Sequence, residues 1–219
     1  MKNCNALSNQ ATRRILHIAC ATALAVAFTV ALPQPARAAQ VTPPPVPPEL
    51  KVDAGNHAFL VGHAIGTQNY VCAPSATGVA FVLFTPEATL FDDDDKEVIT
   101  HFFSPNPDPR DPNISPAVVA DGAIRATWVH SRDGSTVWAK AKASVIVTTG
   151  AISWVLLDMA GVQDGLTGGD ILSKTTQVQR LSTTGGNAPG PGHGCDSPSD
   201  VGHTAFVDYT ADYFFYTNQ

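Results

Sequence analysis

The stretch Ile124-Arg125-Ala126-Thr127-Trp128-Val129-His130, followed after Ser131-Arg132-Asp133-Gly134 by Ser135-Thr136-Val137-Trp138-Ala139-Lys140-Ala141, carries the fold signal of this chain. In the first half Ile124, Ala126, Trp128 and His130 fall on one face of a strand, because strand side chains alternate. Outward from this pair the texture repeats: short runs rich in β-branched and aromatic residues, punctuated by Gly, Pro and Asp. The spacing predicts strands over His57–Ile65, Gln68–Ala73, Val79–Thr85, Val98–Phe103, Ile124–Ser131, Ser135–Ala141, Ser144–Thr148, Ile152–Met159, Lys174–Thr183 and Thr204–Thr217. Ser153–Leu157 (SWVLL) is almost continuously apolar and predicts a strand covered on both sides. No segment has the length and period of a helix. The expectation is all-β: an antiparallel β-sandwich or barrel-like domain with long Pro/Gly-rich loops and little helix.

The N-terminus has a different character. Lys2, Arg13 and Arg14 precede an apolar run from Ile15 to Leu32, and Pro33 and Pro35 break it before Ala36-Arg37-Ala38. That order is the pattern of a cleaved export signal, with cutting expected near Ala38. A retained membrane anchor is the rival, since the run approaches the roughly 20 apolar residues a span needs. His17 stands where a lipobox before Cys20 would need an aliphatic residue, which argues against a lipid anchor. Arg13-Arg14 is a twin-arginine pair, but the residues after it match that signal loosely, so Sec-type export is the expectation. The organisation predicted is a signal over 1–38, a Pro-rich lead over 39–54 and one β-rich domain over 55–219. The lead, with its PPPVPP core, is expected to be extended and solvated.

Removing the signal changes the balance of charge. It holds four of the 13 Lys+Arg and none of the 19 Asp+Glu, so the remaining 181 residues carry a net charge of −10 rather than −6. An acidic surface argues against nucleic acid or anionic membrane as partners, and no second apolar run reaches membrane length. Two cysteines remain, Cys72 and Cys195, and in an oxidising compartment they are expected to pair. Closing a loop of that length would restrict the unfolded chain by about 4–5 kcal/mol on the entropy model. Long loops are expected over Ser104–Gly122, with five prolines and three aspartates, and over Gly185–Asp200, where Cys195 would tie the loop to Cys72.

Chemical motifs are sparse. The run Asp92-Asp93-Asp94-Asp95 lacks the alternating ligands of a calcium loop and reads as a solvated turn. The mature histidines show no zinc spacing, so no metal is expected. There is no G-x-S-x-G elbow, no Walker motif and no dinucleotide fingerprint, and no cofactor is expected. His130 and Asp133 at a strand end, with His101, are the candidate acid/base set. Polar clusters beside turns, at Gly66–Tyr70 (with Gln68, Asn69 and Tyr70), His130–Asp133 and Gly168–Asp170, would form a ligand surface if they converge. The dense aromatic end Tyr209–Tyr216 suggests either a sugar-stacking face or a terminal strand closing the core.

Several stretches together resemble an exported family, domain of unknown function 3455. They are PPELKVDAGNHAFLVGHAIGTQNYVC (47–72), ATLF (88–91), ATWVHSRDGSTVWAKA (126–141), GAISWVLLDMAGVQDGLTGGDILSKTTQVQRLSTTGG (150–186), Cys195 and AFVDYTADYFFY (205–216). The resemblance implies one secreted domain without an established role and transfers no catalytic residue. Some fungal members carry a malate dehydrogenase label, which the missing dinucleotide fingerprint does not support. The reading that follows is a secreted or periplasmic binding or envelope-associated module, with a glycan or other envelope component as partner. The alternatives are an extracytoplasmic hydrolase using His130 and Asp133, and a structural or stress-related surface protein.

Overall fold

Alternation along each strand decides which side chains turn inward, and closure of the sheet decides what "inward" means. The computed structural model describes residues 41–105 and 123–219. Eight strands run in chain order: β1 (His57–Ser75), β2 (Gly78–Phe91), β3 (Glu97–Pro105), β4 (Ile124–His130), β5 (Thr136–Val145), β6 (Trp154–Gln163), β7 (Gln177–Gly185) and β8 (Thr204–Thr217). Each pairs antiparallel with the next, and β8 returns to β1, so the sheet closes into an up-and-down barrel. Of the two all-β forms the sequence allows, the barrel is the one formed. Short 3₁₀ turns at Pro48–Leu50 and Pro198–Asp200 are the helical elements among the described residues.

Two predicted breaks are continuous strand. The predicted strands on either side of Gly66 are one strand, β1, with Gly66 opposite Ala88 on one side and Tyr209 on the other. A Cβ at Gly66 would lie 2.0 Å from the Glu87 carbonyl oxygen and 2.5 Å from the Ala88 Cα. The glycine is there because β2's backbone comes too close for any side chain, not because the chain turns. Likewise β5 runs through Lys142 to Val145, with a register shift between Ala141 and Ala143 instead of a turn.

Inside the barrel, Trp128, Leu90, Ile99, Val137, Leu157, Val178 and Phe215 pack as one core. The face predicted from alternation in β4 is this inward face, for Ala126 packs on that core while Trp128 and His130 are buried. SWVLL is covered on both sides as expected: Val155 and Leu157 face the core, and Leu156, on the opposite face, is also buried.

The outer cover explains a departure from expectation. The Pro-rich lead, expected to be solvated, lies against the barrel. Val41, Val46 and Val52 pack on Leu181, Phe214 and Tyr216 outside β7 and β8, and Leu50 is fully buried. Gln179 Nε2 donates to the Leu50 carbonyl at 2.6 Å, and the Asp53 amide donates to Gln177 Oε1 at 2.9 Å. Lys142 Nζ closes the strap with an ion pair to Asp53 at 2.9 Å. Apolar residues spaced between the prolines are what make the strap adhere, and burying one leucine is worth about 2 kcal/mol.

The predicted disulfide is present: Cys72 and Cys195 are bonded across a sequence separation of 123. Beside it the Cys72 amide donates to the His203 carbonyl at 2.8 Å and the Gly202 amide to the Cys72 carbonyl at 2.9 Å. The glycine-rich loop is thus tied to the far end of β1. The other predicted loop falls largely on 106–122, outside the described residues. The strap gives a direct test: Leu50→Ala should lower unfolding stability by about 2–4 kcal/mol in urea denaturation. A loss below about 1 kcal/mol would show that the strap contributes nothing to the fold.

Candidate ligand cavity

An eight-stranded barrel is just wide enough for its interior to be filled by side chains, so small inward residues leave a void. On β4 and β5 three inward-lining positions are alanines, Ala126, Ala139 and Ala141. A cavity of about 350 Å³ results, open at one end of the barrel. Leu83, Pro86, Phe103, Val155 and Leu157 give it apolar walls, and Trp128, His101 and Tyr213 give it an aromatic floor. The volume and the apolar lining match those of a small-molecule site.

His101 is buried and stacks flat on Trp128, with ring centroids 4.4 Å apart and planes 6° from parallel. Its Nδ1 lies 2.8 Å from the Thr127 carbonyl oxygen, which can only accept, so Nδ1 carries the proton. Burial pushes its pKa down to about 3, so the ring is neutral and Nε2 holds the lone pair. Tyr213 stands edge-on to Trp128, and its hydroxyl is 3.3 Å from that of Tyr209. Burial drives the Tyr209 hydroxyl far above the usual tyrosine range.

Three polar groups border the void with unusual bonding. Gln68 is 1 % exposed and its Nε2 has no hydrogen-bond partner; the buried Trp128 Nε1 has none either. Arg180 follows Val178 on the inward face of β7, and its Nε and Nη2 both donate to the Ser153 carbonyl, at 3.2 and 2.9 Å. A wider groove of about 710 Å³ runs beside the strap. Of the polar side chains it takes from the barrel, His57, Gln179 and Tyr216, the last two already bond to each other.

The remaining predicted residues lie elsewhere. His130 is 4 % exposed, its amide donates to the Ser135 carbonyl, and its Nδ1 sits 3.1 Å from Asp133 Oδ1 without hydrogen-bond alignment. Asp133 Oδ1 accepts from the Ser135 amide and hydroxyl at 3.0 and 2.7 Å, and Oδ2 from the Ile171 amide at 2.9 Å. Ser135 Oγ in turn accepts from the Leu172 amide at 2.9 Å. Leu172 is fully buried and packs in the barrel core. Burial favours the neutral carboxyl, but the donors from Ile171 and Ser135 outweigh it and hold Asp133 below the usual carboxylate range. Burial likewise lowers His130, against the pull of Asp133.

His130–Asp133 and Gly168–Asp170 do come together, for a Cβ on Gly169 would lie 2.2 Å from the Asp133 Cβ. They form a turn-locking knot, and neither His130 nor Asp133 borders the cavity. Of the Gly66–Tyr70 group only Gln68 lines it. Asn69 Oδ1 accepts from Thr67 Oγ1, and the Tyr70 hydroxyl donates to the Gly186 carbonyl. Asp170 is exposed, and its carbonyl accepts from Ser173 Oγ. The aromatic end is not an open stacking face: Tyr209, Tyr213 and Phe215 are buried in the core, while Phe214 and Tyr216 lie under the strap. Asp92 Oδ1 accepts from the Asp94 and Lys96 amides, so the acidic run is the β2–β3 turn. Among the described residues no three His, Cys, Asp or Glu side chains are arranged to hold a metal.

Arg180 and Trp128 were not among the candidates drawn from sequence. The signal for Arg180 was the alternation Val178-Gln179-Arg180-Leu181, which puts a cation on the face of a core valine.

Fold and cavity together define a closed eight-stranded up-and-down β-barrel hollow at one end. The chain belongs to the family described as Protein of unknown function (DUF3455), whose model matches residues 53–217. No curated protein and no solved structure matches it.

Two outcomes follow from this geometry. Asp133→Ala strands the Ser135 and Ile171 donors and should destabilise the fold by about 3 kcal/mol in urea; an unchanged midpoint would mean the knot is dispensable. His101 has a native pKa of about 3 against 6.5 unfolded. As pH falls below 6.5 the unfolded chain binds a proton that the native one refuses, so His101 costs stability progressively between pH 6.5 and 3. His101→Phe should therefore lose less stability than wild type over that window, measured by denaturation at stepped pH, and parallel curves would disprove it.

Proposed function

We propose that the protein is an exported binding module that holds a small, mostly apolar molecule inside its barrel. The observation that carries this reading is the one-ended void of about 350 Å³ over the stacked Trp128–His101 pair. Cores are otherwise packed to crystal-like density, and the same barrel fills its interior with Leu90, Ile99, Phe215 and Leu172 elsewhere. Export is supported by the basic start, apolar run and Ala36-Arg37-Ala38, and by the long-range disulfide. An envelope or extracellular small molecule is the partner this reading names. A glycan held on an exposed aromatic face has less support, because Tyr209–Tyr216 offers no such face.

The test uses the neutral fluorescent dye N-phenyl-1-naphthylamine. It should bind the disulfide-bonded barrel at 1:1 stoichiometry and draw energy from Trp128. Ala141 lines the cavity yet is exposed, so Ala141→Trp should block the mouth without disturbing the fold. The variant should bind the dye at least about tenfold more weakly, roughly 1.4 kcal/mol, with an unchanged circular dichroism melt. Equal dye affinity in the two proteins would refute binding in the cavity.

A further inference from the structure

The chemistry of the cavity wall says more about the occupant than its volume does. The chain is acidic, with a net charge of −6, yet the described residues lining the cavity include Arg125, Lys140 and Arg180 and no Asp or Glu. Arg180, half-buried, comes from the inward face of β7 next but one to the core residue Val178. Its two bonded nitrogens share one neutral carbonyl acceptor, that of Ser153. Among the described residues no carboxylate pairs with it. A half-buried cation on an apolar wall is stabilised when an anion meets it. The second observation is independent of charge: Gln68 Nε2, almost wholly buried on the same lining, faces the Tyr209 hydroxyl but makes no well-aligned hydrogen bond. Buried donors are nearly always satisfied. A guanidinium and such an amide on one apolar wall call for an acceptor that carries charge, and a carboxylate meets both. Behind them the parallel Trp128 and His101 rings are buried, and the more open apolar lining, Leu83, Phe103 and Ile124, suits a flat apolar body.

We infer that the ligand is a small aromatic carboxylate, its acid group held by Arg180 with Gln68 beside it and its ring against Leu83, Phe103 and Ile124. This rests on the cavity reading above and adds to it the charge and polarity of the occupant. Arg180 is a specificity determinant here, since neutral molecules of the same shape fill the same walls but leave its charge unmet.

The experiment compares 2-naphthoate with 2-naphthamide, which share ring and shape and differ in charge, by titration calorimetry on the disulfide-bonded protein at pH 7. Wild type should bind the acid at least tenfold tighter than the amide. Arg180→Gln should bring the acid down to the affinity of the amide, with amide affinity kept within about threefold. Arg180→Lys, which keeps the charge but not the planar fork, should fall between them. Equal binding of acid and amide by wild type overturns the inference while leaving the cavity reading intact, as does an acid preference that survives in folded Arg180→Gln. Failure of both probes on wild type, with the neutral dye still bound, overturns the inference alone; failure of all three removes the cavity reading as well. Should Arg180→Gln not fold, the wild-type acid-to-amide ratio decides by itself.

Discussion

Pairing of β8 with β1, from His57 opposite Thr217 to Val71 opposite Thr204, is the constraint on which the rest of the structure depends. It converts a meander with two open edges into a barrel with none, so the main-chain groups of the terminal strands meet each other instead of solvent or another chain. It also forces every strand to choose an inside. Gly62 and Gly66 on β1 show how tight that choice is, because a Cβ at either would lie within 3 Å of Leu90 or of the Glu87–Ala88 backbone. Closure draws β1 and β2 together so closely that residues without side chains are needed at these two points.

Closure also explains why the two ends of the barrel differ. At one end Asp133 gathers the amides of Ser135 and Ile171, and Ser135 holds that of Leu172, whose side chain is fully buried. Bonds to an ionised carboxylate are the strong kind, and they fix a turn that would otherwise splay. Toward the other end alanines replace bulk on β4 and β5, and the interior opens around Arg180 and Gln68. A residue pair with the composition of a catalytic dyad thus holds a turn, while of the cavity lining Gln68 and His101 were candidates from sequence and Arg180 was not. Outside, the strap and the disulfide act on different strands. The first covers β7 and β8 and the second anchors the loop before β8 to the end of β1.

Much of the architecture was legible in the residues. Period-two alternation in β4, the doubly apolar SWVLL segment and the aromatic β8 each reported a local property, burial on one or both faces, that survives any tertiary arrangement. The disulfide was legible because the chain after residue 38 has only two cysteines, Cys72 and Cys195. The strap was not, since Val41, Val46 and Leu50 gain an apolar partner only once β7 and β8 lie side by side. The strand break at Gly66 was misplaced because glycine marks a turn and a close backbone approach with the same letter, and the one at Lys142 because a register shift interrupts the pattern without ending the strand.

For the site the balance is reversed. By itself the sequence determined the all-β class, the inward faces of individual strands, the cysteine pair and the acidic excess, because each depends on residues near in the chain or on composition. Only the tertiary structure decided that the sheet closes and that His130 and Asp133 lock a turn. It alone brought Gln68 of β1, Trp128 of β4 and Arg180 of β7 to one cavity. Strand propensity has no term for which distant strand lies across the barrel, and a cavity is defined only by residues that meet there.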